Sequence, residues 1–324
     1  MTATNGWTVP AHLQPTPESV RFDLRSALDA VVALRAEVPD DAFTATVLGT
    51  ERMGSAVAIR SDGLLLTIGY LITEAESIWL TANDGTAVPG HPLAVDFESG
   101  FGLVMPLGRL GVRALELGTS SRARIGDDTL VIGHGGRAHA LKTRLILKRE
   151  FSGYWEYVLD EALFTAPAHP HWSGTALLGE DGRLIGIGSL LVQEAFEGEA
   201  EPGNMFVPTD LLVPILEELL TLGRRTSPPR PWLGMYVAEE EGRLLVVGLA
   251  ERGPASRAGV RLGDTVIEVS GERPAGLADL FRRVWRQGPA GIEIPLALGR
   301  KGTRVATRVR SGDRADFLKK PRLH

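Results

Sequence analysis

Residues 165–191 read TAPAHPHWSGTALLGEDGRLIGIGSLL. An apolar segment runs into a Ser-Gly pair, and two strand-like runs follow with an EDG turn between them. Short apolar runs joined by Gly-containing turns are the pattern of antiparallel pairing. A serine placed on such a tight turn is also how a chain can present a nucleophilic hydroxyl. Two questions follow: whether the rest of the chain is built of the same short strands, and whether Ser173 has what a nucleophile needs.

Working outward, the same texture holds from about residue 30 to residue 208. AVVALRAEV, SAVAI, LLLTIGYLI, SIWLTA, FGLVMPL, DTLVIG, TRLILKRE, YVLDEALFTA, TALLG and RLIGIGSLLV are short β-rich runs. SDG at 61–63, NDG at 83–85 and EDG at 180–182 separate several of them as hairpin connections. Many short strands with Gly-rich turns predict antiparallel barrels or sandwiches. Upstream, residues 1–29 read as a proline-punctuated arm and a short helix, Pro17 to Asp29, with Val20, Leu24, Ala27 and Leu28 on one face. Downstream, Leu211, Leu212, Ile215, Leu216, Leu219 and Leu220 recur at helical spacing after Thr209 and Asp210, with Gly223 placed as a C-terminal cap. GRRTSPPRP, 223–231, reads as a linker, and beyond it lies a unit of strands with one amphipathic helix carrying Leu277, Leu280, Phe281, Val284 and Trp285 on one face.

Composition sets the bounds. With 324 residues the chain can bury more than one core, and 44% hydrophobic with 23% charged residues is ordinary for a globular protein. A net charge of -5 gives no general pull toward nucleic acid. The exception is 273–324, with 13 basic and 4 acidic residues, which reads as a solvated basic face and tail. The chain has no cysteine, which excludes disulfides, thiolate nucleophiles and Cys-ligated metals. The first two dozen residues show no basic segment followed by an apolar one, and no run reaches the 18 apolar residues of a membrane span, so a soluble cytoplasmic protein is expected.

The order of segments resembles the HtrA (high-temperature-requirement, or Deg) serine proteases: a trypsin-like domain followed by a PDZ domain. GSAVAIRSDGLLLTIGYLI (54–72) is similar to the family hairpin that ends in TNxHVV. LGTSSRARIGDDTLVIGHGG (117–136), APAHPHWSGTALLGEDGRLIGIGSL (166–190) and NMFVPTDLLVPILEELL (204–220) are similar to later family segments, in the same order. The resemblance implies a mainly β chain: two antiparallel β-barrels of the chymotrypsin/trypsin-like fold, then a small α+β PDZ domain. The expected division is an arm at 1–29, the double barrel at 30–222, a linker at 223–231, the PDZ domain at 232–312 and a basic tail at 313–324.

Carried over residue by residue, the resemblance places Ser173 at the nucleophile, followed by the required Gly174. The base, the His of TNxHVV, is replaced by Tyr70 in TIGYLI. The orienting Asp aligns with Gly100 in ESGFGLV, and a slip of one residue would give Ser99 or Phe101, neither a carboxylate. The glycine two residues before the nucleophile, an oxyanion N–H donor in the family, is His171. A phenol with a pKa near 10 is a poor proton acceptor at neutral pH. Loss of the base from such a triad removes most of the ~10⁶ it contributes as a unit. Three of the four working parts are missing, so a proteolytically inactive protein is expected.

Other residues could restore chemistry or support binding. His169 and His171 flank Ser173 and are candidates for a substitute base; His134 and His139 lie on another loop, and two histidines are too few for a zinc site, so no metal and no cofactor is expected. Tyr154, Trp155 and Tyr157 form an aromatic cluster, read as packing of the second barrel or its loops. The acidic run EAFEGEAE at 194–201 reads as a solvated loop. Gly188, Ser189 and Leu190 stand where the family offers a strand edge to a substrate. RPWLGM (230–235) and ERGPASRAGVRLGDTVIEVSGERP (251–274) resemble the PDZ carboxylate loop and the segment after it. The resemblance then implies that Trp232, Leu233 and Gly234 hold a peptide carboxylate and that Met235, Tyr236 and Val237 accept an added strand. Partners are expected to be C-terminal or unfolded peptide segments, with no nucleic acid and no membrane, and family resemblance implies a homotrimer. Three readings stay open: a peptide-binding scaffold or chaperone-like adaptor, an active endopeptidase using Ser173 with an unconventional base, and a structural subunit of a larger complex.

Overall fold

The computed structural model describes residues 6–193 and 202–319, so the acidic run at 194–201 lies outside the described residues. The chain divides into two compact units, residues 1–149, 161–224 and 319–324 in the first and residues 150–160 and 225–318 in the second.

The first unit is mainly β. Its first six strands are β1 (Val31–Glu37), β2 (Glu51–Ala58), β3 (Leu65–Ile68), β4 (Ser77–Thr81), β5 (Ala87–Val95) and β6 (Phe101–Pro106), closed as a barrel in the order β1-β2-β3-β6-β5-β4. A second barrel takes β7 (Asp128–Ile132), β8 (Ala140–Gly153), β9 (Tyr157–Ala166), β10 (Ala176–Leu178), β11 (Leu184–Val192) and β12 (Gly203–Pro208) in the order β10-β11-β12-β9-β8-β7. The hairpin pairs are antiparallel, with Ala58 opposite Leu65 across the SDG turn and Thr81 opposite Ala87 across the NDG turn. This is the trypsin-like double barrel. Closure leaves no open sheet edge, which suits a chain whose strands are short and apolar. β3, β10 and β12 are buried along their whole length.

Two helical expectations shorten in the structure. Pro17–Ser19 forms a 3₁₀ turn and α1 spans only Leu24–Asp29, capped by Asp23 accepting from the Ser26 N–H at 3.1 Å. A single turn of helix, α2 (Ala45–Leu48), precedes β2. After β12 a 3₁₀ turn, Thr209–Leu211, comes before α3 (Leu216–Leu222). Pro214 explains the break: it has no N–H to donate and disfavours helical geometry at Val213. Gly223 ends α3 in the left-handed conformation, as the sequence pattern predicts.

The second unit contains a five-stranded sheet in the order β13 (Met235–Glu240), β14 (Arg243–Leu249), β15 (Thr265–Val269), β16 (Glu293–Arg300) and β17 (Thr303–Arg310). Two helices, α4 (Pro254–Arg257) and α5 (Leu277–Arg286), complete it. Leu277, Leu280, Phe281 and Val284 of α5 pack against Val237, Val246, Ile294 and Leu298 of the sheet in one apolar core, and Val158 belongs to that same core. The 223–231 stretch is partly tied down: the Pro229 carbonyl accepts from the Ala290 N–H at 2.9 Å, and the Arg230 guanidinium lies 4.3 Å above the Trp285 ring. The basic C-terminal stretch also does more than face solvent, since Phe317 packs on Trp232 with ring centroids 4.7 Å apart.

Candidate functional site

Ser173 sits on a turn held by backbone contacts on every side. Its carbonyl accepts from the Ser55 N–H at 2.8 Å, and the Gly174 N–H donates to the Gly188 carbonyl at 2.9 Å. Gly174 has φ +73°, and a Cβ there would lie 1.9 Å from Ser55 O and 2.6 Å from Thr67 Oγ1. Only glycine fits, which is the physical reason for a Ser-Gly pair at this turn.

The hydroxyl of Ser173 meets Tyr70. The phenol oxygen lies 2.8 Å from Ser173 Oγ and 2.8 Å from the Ser189 carbonyl oxygen. A phenol has one proton, and a carbonyl can only accept. Both contacts are satisfied when Tyr70 donates to Ser189 and Ser173 donates to the phenol oxygen. Desolvation pushes the phenol up to about 12, against the opposing pull of its bond to Ser173. At pH 7 about one molecule in 10⁵ would carry a phenolate. Tyr70 therefore bridges two walls of the cleft as a neutral phenol and does not take a proton from Ser173.

Three elements fix that phenol. Tyr70 belongs to the 3₁₀ turn Gly69–Leu71 that follows β3. Arg52, buried, donates to the carbonyls of Tyr70 at 2.7 Å, Thr73 at 2.8 Å and Gly49 at 3.2 Å, and to Thr44 Oγ1 at 2.7 Å. Thr44 in turn donates to the buried Glu74, which also collects the N–H groups of Phe43, Thr44 and Lys319. Burial raises the Glu74 carboxyl, but these donors outweigh it and hold it below its ordinary range. Neither Arg52 nor Glu74 stands out in the sequence, where each is one charge among many.

At the position expected to orient a base, Gly100 contributes only backbone. It has φ +85°, its N–H donates to the Asp96 carbonyl and its carbonyl accepts from the Gly69 N–H, both at 2.7 Å. In this turn the Asp96 carboxylate accepts from the Ser99 N–H at 2.9 Å and the Ser99 hydroxyl at 2.5 Å.

The expected substitute bases do not serve. His169 is fully buried; its Nδ1 accepts from the His171 N–H at 3.1 Å and its Nε2 lies 3.2 Å from the His139 carbonyl. Both ring nitrogens are thus committed, the Nε2–H tautomer is fixed, and burial pulls the ring down to about 4. Asn204 pins its backbone through contacts of 2.6 and 3.1 Å. His171 is exposed, with its ring near those of Trp7, His139 and His169 and not at Ser173. The same His169 contact also uses the N–H of residue 171, the donor expected to face an oxyanion. Neither His169 nor His171, the expected substitute bases, is hydrogen-bonded to Ser173.

The four loop histidines do converge, which spacing alone could not show. His134 and His139 stack with centroids 6.3 Å apart, and Trp7 packs on His139, His169 and His171 at 5.1–6.0 Å. Among the described residues no group of histidines and carboxylates is arranged to hold a metal ion. The strand edge expected at 188–190 is also closed from within: Gly188 donates to Thr175 and accepts from Gly174, and Ser189 O is the phenol's partner. Leu190 lies past a bulge, in register with Met205.

The second unit brings together a different set of groups. The N–H of Leu233 lies 3.0 and 3.2 Å from the two oxygens of the Glu156 carboxyl, and that of Met235 lies 3.1 Å from one of them. Gly234 between them has φ +65°, which turns the neighbouring N–H groups toward one point. On the edge strand β13, the Val237 N–H donates to the Tyr154 carbonyl at 3.0 Å. Trp232 and Tyr236 act through their rings: Trp232 faces Phe317, and Tyr236 meets Tyr154 edge-on at 6.1 Å. Burial pushes the Glu156 carboxyl up to about 7, opposed by these N–H groups and by the charge of Arg314. The aromatic cluster 154–157 lies on the β8–β9 connection of the second barrel, and its residues group with this unit.

With this geometry in hand, comparison with known proteins is informative. Residues 54–187 match the trypsin-like peptidase domain. A probable periplasmic serine endoprotease DegP-like of Halomonas elongata is 26% identical over 286 residues, covering 82% of this chain and 58% of its own length. Serine protease PepD of Mycobacterium tuberculosis is 28% identical over 284 residues, covering 80% and 60%. The chain thus spans under two thirds of the length of these curated relatives. Among solved structures, the HtrA-type protease AlgW with decapeptide superposes with a TM-score of 0.54 at 21% identity, covering 93% of this chain and 100% of that one. The serine endoprotease from Yersinia pestis gives 0.52 at 21%, covering 91% and 99%. The fold is that of the trypsin-like peptidases. Within that class the chain is similar to the HtrA-type proteases.

Proposed function

We propose that this chain is a non-proteolytic HtrA-type protein that acts by binding protein or peptide segments, as a scaffold or chaperone-like adaptor. One observation carries the reading: the Ser173 hydroxyl faces a neutral phenol that is itself bonded to Ser189 O, where catalysis needs an imidazole. The His171 N–H spent on His169 adds to it, because an oxyanion donor aimed elsewhere forfeits roughly 10²–10³ in rate. Against the rival reading, an endopeptidase with a displaced base, no imidazole nitrogen among the described residues is bonded to Ser173.

For binding, the reading takes the second unit as a PDZ module. N–H groups converging on a carboxylate beside an edge strand are the physical requirements for capturing an extended peptide end. Solved relatives of the HtrA type carry bound peptides, a tripeptide in one case and a decapeptide in another. Assembly as a trimer is part of the same proposal.

The test is hydrolysis of unfolded β-casein by the wild-type protein and by Ser173→Ala, followed to the limit of detection over hours. Equal rates, at the no-enzyme level, are expected. Cleavage by the wild type that disappears in the variant would overturn the proposal.

A further inference from the structure

We infer that residues 154–156 are an internal ligand of the second unit, with Glu156 in the carboxylate-binding nest and Tyr154 added to β13, so that an external peptide end gains this groove only by displacing them. The inference rests on the peptide-binding reading above and deepens it.

Two kinds of contact, which a bound peptide would have to make, are already made in cis. β13 is the terminal strand of its sheet, so one edge is open to an added strand, and the Val237 N–H on that edge is spent on Tyr154 O at 3.0 Å. Two residues further along the same segment, the Glu156 carboxyl fills the nest formed by the N–H groups of Leu233 and Met235. A strand contact followed at once by a carboxylate in a backbone nest is the combination by which a chain end is recognised. Gly234 is required for the nest: a Cβ there would lie 2.9 Å from both Ala250 Cβ and the Trp232 ring.

The segment bears costs that only the contact repays. Glu156 is buried, and it holds φ +61°, a left-handed conformation unfavourable for a non-glycine residue. That backbone turn is what aims the side chain into the nest. Aromatic contacts secure it: Tyr154 meets Tyr236 and also Trp155, the latter at 5.1 Å, and Trp155 stacks on Tyr157 at 5.7 Å. Arg314 supplies attractive charge to Glu156.

A tethered ligand competes at an effective concentration of order millimolar. A peptide that would bind the empty groove at micromolar strength is therefore weakened many-fold while Glu156 stays in place. The competitor this geometry selects is a protein C-terminus in extended form, with an aromatic residue near its end to take the Tyr154 position over Tyr236.

The experiment uses the full chain and a labelled hexapeptide of the internal sequence, Phe-Ser-Gly-Tyr-Trp-Glu, with a free terminus. Its neutral counterpart ends in glutamine amide. Fluorescence anisotropy should show binding to Glu156→Ala at least tenfold tighter than to the wild type, and none for the neutral peptide. Equal affinity for both proteins would overturn the internal ligand and leave peptide binding standing. Amide hydrogen exchange reads the contact without any peptide, with Glu156→Gln as a second variant that keeps the side-chain shape. Leu233 and Met235 should exchange at least tenfold faster in the variants while the amides of β16 keep their protection. Unchanged protection at Leu233 and Met235 would overturn the inference, and faster exchange with no peptide binding by any variant would remove the competition and, with it, the peptide-binding reading.

Discussion

Replacing Tyr70 by phenylalanine removes one oxygen and leaves the ring in place. That oxygen has two partners at 2.8 Å, the Ser173 hydroxyl and the carbonyl of the buried Ser189. A typical intramolecular hydrogen bond contributes about 1 kcal/mol net, and a buried acceptor left without a donor costs about 1–3 kcal/mol. Ser189 sits at a bulge in the β11–β12 pairing, so its carbonyl is not rescued by the ladder. Tyr70→Phe should therefore destabilise the first unit by about 2 kcal/mol, which for a unit of this size lowers Tm by roughly 4–8 °C. Calorimetry and urea unfolding followed by far-UV circular dichroism would both read the change. Hydrolytic activity should stay at background in the variant, because the phenol is a structural bridge and not a base. A Tm shift under 1 °C would refute the bridge. A variant with altered cleavage of an unfolded substrate would refute the assignment of Tyr70 as chemically inert.

Further outcomes follow from the same contacts. Gly174→Ala places a Cβ 1.9 Å from Ser55 O at a positive φ, so it should cost more than about 3 kcal/mol, read as loss of soluble protein or a Tm drop above 6 °C. Arg52→Ala strips donors from the carbonyls of Gly49, Tyr70 and Thr73, and should cost about 3 kcal/mol or more in urea unfolding, with Arg52→Lys recovering part of it. Burial holds His134 and His169 at about 4, below the unfolded value of 6.5, so the folded state favours the neutral rings. Their stabilisation is complete above pH 6.5 and is lost as pH falls toward 4, by of order 1–3 kcal/mol per ring. Tm should fall between pH 7 and pH 5, in Tyr70→Phe as in the wild type, and His134→Gln should flatten that slope.

Much of the barrel architecture could be read from the chain, because its signals are local. The SDG and NDG turns and the alternation of short apolar runs specify hairpins without reference to anything distant. The same locality misled at 211–222, where leucine periodicity predicted one helix and Pro214 divides it. The family resemblance singles out Ser173, Tyr70 and Gly100. It does not show what the phenol does, because its partner Ser189 lies 119 residues away in sequence. His169 looked like a candidate base when only its two-residue distance from His171 and its proximity to Ser173 were visible. The contact with the His139 carbonyl, made across the second barrel, is what commits its ring. Glu156 gave no signal at all: it is one acidic residue inside an aromatic cluster, and the nest that it fills is formed 77–79 residues later. Residues of ordinary type acting through long-range backbone contacts are the ones a linear reading passes over.

The central claim, that Ser173 is not an activated nucleophile, is tested most directly by a fluorophosphonate probe and intact-protein mass. The wild type, Ser173→Ala and Glu156→Ala would be treated side by side, with and without a C-terminal peptide ligand. The account predicts no mass shift in any of them beyond that of the Ser173→Ala control. A shift of one probe adduct in the wild type or Glu156→Ala, absent from Ser173→Ala, would show an activated Ser173 and contradict it.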